Sequence, residues 1–169
     1  MKKTDVVIIG AGPCGLFQVF ELGLLGLKSE VIDSIRNPGG QCTELYPDKP
    51  IYDIPAIPMC TGQELTDSLL KQIEPFDYGM TLNDEVISID RQGENDFIIE
   101  TISNKKFQCQ AVVIAGGVGS FQPRQLRVEN ADQFLDKSLF YRVRDSGIFR
   151  NRRIAILGCG DSALDWALD

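Results

Sequence analysis

The chain has 169 residues, of which 43% are hydrophobic and 24% charged, and a formal net charge of −7. Those values describe a soluble globular protein of one or two domains. An acidic chain without a basic cluster argues against nucleic acid as a partner, and no apolar run reaches the roughly 18 residues that a membrane span requires.

Lys2-Lys3 ahead of an apolar run has the outline of a signal peptide, but Asp5 interrupts it and the residues that follow explain the run better. Val6-Val7-Ile8-Ile9 is a β-branched stretch of the kind found in buried parallel strands. It ends in Gly10, Gly12 and Gly15, spaced G-x-G-x-x-G. In such a turn the first glycine permits the bend, the second lets the backbone approach a pyrophosphate, and the third lets the helix pack against the strand. The helix N-terminus presents free N–H groups and the positive end of its dipole to the anion. Leu16, Val19, Phe20, Leu24 and Leu27 form an apolar stripe on the predicted helix, weakened towards its end by Gly23 and Gly26. Residues 29–33 are predicted as the second strand, ending in Asp33. An acid at that place accepts a ribose 2′-OH and repels a 2′-phosphate, so this first site suits FAD or NAD rather than NADP.

Residues 34–60 carry five prolines and read as a long irregular loop, a length that usually signals work on a ligand or partner. Within it Gly39 and Gly40 allow close backbone approach, Gln41 donates and accepts hydrogen bonds, and Tyr46 and Tyr52 are able to stack on a flat ring. An equally weighted reading is a solvated loop with incidental aromatics. Thr61-Gly62-Gln63-Glu64 is a capping box opening a helix with Leu65, Leu69 and Ile73 on one face and Pro75 at its end. Val86–Ile89, Phe97–Ile102 and the run from Phe107 are then predicted as three short antiparallel strands, with a turn at 93–96. The apolar continuation Ala111–Ala115 is predicted to return to the buried parallel sheet. It ends in a second glycine-rich stretch, 116–124, that brings Phe121 to the carboxyl edge of the sheet, where α/β folds bind ligands.

After a mixed polar connection over 125–151, Arg153–Leu157 is predicted as a strand leading into Gly158, Gly160 and Ala163, a G-x-G-x-x-A repeat of the opening design. Asp161 and Asp165 read as acids favoured near a helix start rather than as acid–base catalysts. The sequence stops inside an apolar helical segment without an end signal, so the chain reads as truncated. The predicted fold is therefore α/β: an FAD/NAD(P)-binding Rossmann-like doubly wound parallel sheet with a three-stranded antiparallel insertion, followed by the start of a second dinucleotide-binding domain. Cysteines stand at 14, 42, 60, 109 and 159, none in C-x-x-C spacing, and the chain has no histidine. A Cys/His metal site is not expected, and scattered thiols suit a reducing cytoplasm. Cys109 and Cys159 are expected to pack in apolar surroundings.

Two fingerprints around a three-stranded insertion, together with Gly39-Gly40-Gln41, Tyr46-Pro47-Asp48-Lys49, Tyr52-Asp53, residues 119–124 and residues 160–168, resemble the thioredoxin-reductase-like ferredoxin/flavodoxin–NADP+ reductases. The resemblance covers essentially the whole chain and about half of that family's length. It implies that Gly10, Gly12 and Gly15 hold the FAD pyrophosphate, Asp33 the adenosine ribose, Gln41 and Tyr46 the flavin half, and Val86 the adenine through its backbone, with Gly40 also among the cofactor-binding residues. It implies Phe121 against the flavin, and Gly158, Gly160 and Ala163 at the beginning of an NADP(H) site. Cys159 stands where the family commonly has glycine. The implied domains are an FAD-binding part over 1–120 and a linker with the start of an NADP-binding domain over 121–169. The implied partners are ferredoxin or flavodoxin, and the implied assembly is a homodimer. No catalytic side chain is expected, because the cofactors carry the chemistry, and the chain alone is expected not to turn over NADPH. Thioredoxin reductases carry a C-x-x-C pair before the second nucleotide strand. Here Phe140–Asp145 has no cysteine, and a dithiol relay needs thiols. A disulfide reductase and a non-catalytic nucleotide-binding remnant remain the alternative readings.

Overall fold

The computed structural model describes residues 1–45, 47–119, 126–141, 143 and 146–168. Met1–Phe121 and Gln122–Asp169 form two compact units.

The first unit is built on a parallel sheet of β2 (Val6–Ile9), β3 (Ser29–Ile32), β6 (Tyr78–Thr81) and β10 (Ala111–Ile114), in the order β10-β2-β3-β6. Alternation along β2 divides the core. Val6 and Ile8 point to one side, with Val31, and Val7 to the other, with Ile32. The first side is covered by α1 (Pro13–Leu24) and α3 (Gly62–Ile73), whose Leu16, Val19, Leu22, Leu65, Leu69 and Ile73 join the core. The capping box is formed: Glu64 N–H donates to Thr61 Oγ1 at 3.2 Å and Thr61 N–H to Glu64 Oε2 at 2.8 Å. The second side is covered by an antiparallel meander of β7 (Val86–Gly93), β8 (Asp96–Thr101) and β9 (Lys106–Cys109). Ile99, Phe107 and Cys109 supply its buried face.

The structure corrects several expectations. Leu24 and Leu27 are exposed, because α1 ends at Leu24 and its buried face stops at Leu22. At Gly23 a side chain would run into the Phe76 ring, so Phe76 covers the helix where Leu24 was expected to. The 34–60 stretch is not wholly irregular: it contains a one-turn helix, α2 (Gln41–Glu44), and β4 (Pro50–Ile51) pairs with β5 (Cys60–Thr61) at its end. The run from Phe107 is two strands rather than one, since the chain changes sheets at Gln110. β10 returns to the parallel sheet as expected, but at its edge, which leaves Ile114 75% exposed rather than buried. β6 completes the parallel sheet, and β1 (Lys2–Lys3) adds parallel to β9.

Two carboxylates are buried on the meander side. Glu30 accepts from Lys2 Nζ at 2.5 Å and from Thr81 Oγ1 at 2.7 Å. Asp84 accepts from Ser103 Oγ at 2.5 Å, Thr101 Oγ1 at 3.0 Å and Ser103 N–H at 3.2 Å, and pairs with Lys105 Nζ at 3.1 Å. Burial alone would push the Asp84 carboxyl up, but the Ser103 hydroxyl, Lys105 ammonium and Thr101 hydroxyl together hold it below the ordinary carboxylate range. A depressed folded value contributes stability that is complete above the unfolded value of about 4 and is lost as pH falls through the folded value. Urea midpoints of the wild-type chain should therefore fall relative to those of Asp84→Asn as pH drops below about 4. Parallel pH profiles for the two chains would remove Asp84 from the acid limb.

In the second unit α4 (Asp161–Leu168) follows the second fingerprint, and two short 3-10 helices, Ala131–Phe134 and Ser146–Phe149, occupy the expected connection. Phe140 and Phe149 meet edge to face with centroids 5.2 Å apart, and Leu126 N–H donates to the Tyr141 hydroxyl at 2.7 Å. Arg153–Leu157, expected as a strand, forms none. A strand exists only through hydrogen bonds to a neighbour, and among the described residues no segment pairs with it; Ile154 and Leu157 stand exposed. Cys159, expected to pack, is exposed as well.

Candidate functional site

Three backbone turns meet at the carboxyl end of the parallel sheet. The first is the glycine loop. Gly10 has φ +110°, and a Cβ there would overlap the carbonyl of Ala115, lying 2.7 Å from its carbon. A Cβ on Gly15 would overlap the carbonyl of Gly10, 3.0 Å from its carbon. These two glycines are therefore required by packing. Gly12 is not: a Cβ there would meet nothing nearer than the Cα of Gly40 at 4.0 Å, and its φ of −72° suits any residue. α1 begins there with Pro13 at its first turn and without a side-chain cap, so no side chain satisfies its N-terminal N–H groups.

The second turn is Gly39-Gly40. Gly39 N–H donates to the Ala11 carbonyl at 2.8 Å, and Gly40, at φ +58°, packs so that its own Cβ would lie 3.1 Å from the Gly12 Cα. Two glycine backbones thus face one another with no side chain between them. The third turn follows β10. Gly117 lies against Gln41, 3.7 Å from Nε2 to a Cβ position, and Gly116 and Gly119 have open space. Gly10, Gly12, Gly15, Gly40 and Gln41 are therefore brought to one place.

Asp33 closes the far end. Its Oδ2 accepts from Ala11 N–H at 2.6 Å and its Oδ1 from Ile35 N–H at 2.9 Å. Each carboxylate oxygen keeps a further acceptor position, which a ribose hydroxyl fits. Ala11 carries no sequence signal for this part, which is played by a backbone N–H that any residue except proline would supply. Val86 opens β7 and packs against the second core cluster. Beside Gln41 a cavity of about 400 Å³ is lined by Gln41, Cys42, Lys49, Pro50, Ile51, Tyr52 and Asp53, all from the 34–60 stretch. Burial, with Cys60 and Cys14 nearby, pushes the Cys42 thiol up, so it stays protonated at neutral pH. Tyr46 and Phe121 lie outside the described residues. In the second unit a Cβ on Gly158 would lie 3.4 Å from the Ala163 methyl, while Gly160 has open space around it.

This is the donor set that a dinucleotide needs: an open glycine cradle at a helix N-terminus for the diphosphate, and an acid on the next strand for the ribose. A parallel sheet with that turn defines an FAD/NAD(P)-binding Rossmann-like domain. The chain belongs to the pyridine nucleotide-disulphide oxidoreductase family, whose model matches residues 7–169. It is 59% identical over 168 residues to ferredoxin–NADP reductase 2 of Cupriavidus necator, covering 99% of this chain and 46% of that protein. It is 59% identical over 167 residues to a ferredoxin–NADP reductase of Polaromonas sp., again covering 99% of this chain and 46% of the relative. The chain thus spans a little under half the length of the curated relatives it matches. Among solved structures it is similar to the bacillithiol disulfide reductase Bdr of Staphylococcus aureus, with TM-score 0.72 and 21% identity over 99% of this chain and 54% of that one. A thioredoxin reductase of T. acidophilum is similar over 82% of this chain and 42% of its own, with TM-score 0.63 and 21% identity.

Proposed function

We propose that the chain is the FAD-binding part of a ferredoxin–NADP reductase, with the FAD domain over 1–120 and a linker and the start of the NADP(H) domain over 121–169. The observation that carries the reading is the side-chain-free approach of the Gly12 and Gly40 backbones, beside an acid already hydrogen-bonded to the same loop. Gly10, Gly12, Gly15 and Gly40 cradle the FAD diphosphate, and Asp33 takes the ribose. Val86 offers its backbone to the adenine, and Gln41, Tyr46 and Phe121 meet the flavin half. Gly158, Gly160 and Ala163 begin the NADP(H) site. A bound flavin supplies the exchange between a two-electron nicotinamide donor and a one-electron carrier. The protein's own part is to bind, orient and keep water from that group. The carrier is ferredoxin or flavodoxin, the assembly a homodimer, and the compartment the cytoplasm. The names of the relatives support the acceptor, and five cysteines without a C-x-x-C pair support reduced thiols.

The test is a titration of the purified chain with FAD, read by quenching of flavin fluorescence. Saturable binding is expected. Gly12→Ala, whose Cβ would meet only the Gly40 Cα, at an ordinary contact distance of 4.0 Å, should keep the wild-type urea midpoint and lose FAD by about a hundredfold, because the new methyl stands where the diphosphate approaches. Unchanged FAD affinity in that variant would refute the cradle.

A further inference from the structure

Asp84 is a buried acid with no place in the site just described. It lies in the connection from β6 to β7, 2% exposed. Its carboxylate gathers Thr101, the last residue of β8, and Ser103 and Lys105 from the turn between β8 and β9. Its backbone faces the opposite way. Asp84 N–H donates to the Asp33 carbonyl at 3.0 Å, and Asn83 N–H to the Ile35 carbonyl at 2.9 Å. Asp33 N–H in turn donates to the Thr81 carbonyl at 3.0 Å. On the other flank, Ile102 N–H donates to the Glu85 carbonyl at 2.8 Å, next to Val86. Residues 81–86 are thus bonded on one side to the segment carrying Asp33 and on the other to the meander.

We propose that Asp84 is a positioning residue for the adenosine half of the dinucleotide: it fixes the spacing between the Asp33 carboxylate and the Val86 backbone by clamping the 81–86 connection to the 101–105 turn. The proposal rests on the FAD reading above. A lock meant only for the β8–β9 turn has no need of a partner from outside it, since Asn104 N–H and Lys105 N–H already bond to Thr101 within the turn. Asp84 instead joins three segments distant in sequence, and two of them carry the groups that face ribose and adenine. Removing the clamp loosens the adenosine end and leaves the flavin end, at Gln41 and the cavity beside it, untouched.

The experiment uses Asp84→Asn and, as a milder change that keeps the acid, Ser103→Ala. FAD and FMN are titrated against each; FMN has the flavin and one phosphate but no adenosine. Asp84→Asn should weaken FAD about tenfold and Ser103→Ala about threefold, with FMN binding unchanged in both. FAD and FMN weakened equally, or FAD unchanged in folded variants, overturns the proposal. Amide hydrogen exchange is measured on the same ligand-free proteins. Faster exchange in 81–86 and 33–36 as well as in 101–106 supports the clamp, and faster exchange confined to 101–106 overturns it. If the wild-type chain binds no FAD, the FAD reading fails on its own and the exchange pattern still decides the clamp.

Discussion

Gly15→Ala should leave the first unit unfolded at room temperature, while Gly12→Ala, three residues away, leaves it folded. The two glycines stand in one fingerprint but do different work. A methyl on Gly15 overlaps the carbonyl of Gly10, and neither partner has anywhere to go. Gly15 is in α1, whose Leu16, Val19 and Leu22 are fixed in the core, and Gly10 N–H is held by the Ile32 carbonyl at 2.8 Å. Relief requires α1 to lift off β2, which opens the packing between Leu16, Val19 and Ile8. Losing the contacts of even one such side chain costs about 2–5 kcal/mol, against a total stability of about 5–15 kcal/mol for a domain. Gly10→Ala should be comparably damaging, since it adds a positive φ to a clash with Ala115. The measurement is urea unfolding followed by circular dichroism. A Gly15→Ala chain with a wild-type midpoint would mean that the helix sits farther from the strand than described.

The second large effect is on ligand rather than fold. Asp33→Ala should reduce FAD affinity by about a hundredfold or more, because hydrogen bonds to a charged group contribute about 1.5–3 kcal/mol each. The variant loses the acceptor proposed for the ribose and also frees Ala11 N–H and Ile35 N–H, so the glycine loop loses its anchor at the same time. Asp33→Asn separates the two contributions. Its amide oxygen still accepts one N–H, but its NH2 group turns a donor towards the other. The asparagine chain should therefore bind FAD more tightly than the alanine chain and less tightly than wild type. Fluorescence titration ranks the three, and equal affinities in all of them would take Asp33 out of the site.

The parts legible in the sequence were those whose signal is local. Gly10, Gly12, Gly15 and Asp33 announce themselves by spacing along one βαβ unit, and Thr61 with Glu64 by a three-residue offset. The fold class followed from these and from the alternation in the meander. What stayed hidden depends on partners far along the chain. Tyr78-Gly79-Met80-Thr81 has no strand pattern of its own and becomes β6 because the edge of β3 offers it a ladder. Asp84 and Glu30 look like surface acids until Lys105 and Lys2 arrive beside them. The reverse also holds: Arg153–Leu157 has every local mark of a strand and is none, because pairing is a property of two segments. Leu24 and Ile114 are apolar residues that the periodicity placed inside; the end of a helix and the edge of a sheet left them outside.

The first five residues and Gln110 are where the chain crosses between the two sheets. β1 lies beside β9 and β2 beside β10, with Gln110 N–H bonded to the Asp5 carbonyl at 2.9 Å between them. The N-terminal segment therefore waits, during synthesis, for a partner made nearly at the end of its unit. Until β9 and β10 leave the ribosome, the apolar β2 has β3 on one side and an open edge on the other. Such long-range closure is slow, and an open apolar strand edge is a template for association with other chains. The interval between completing β3 and completing β10 is thus when a nascent chain of this design depends most on chaperones.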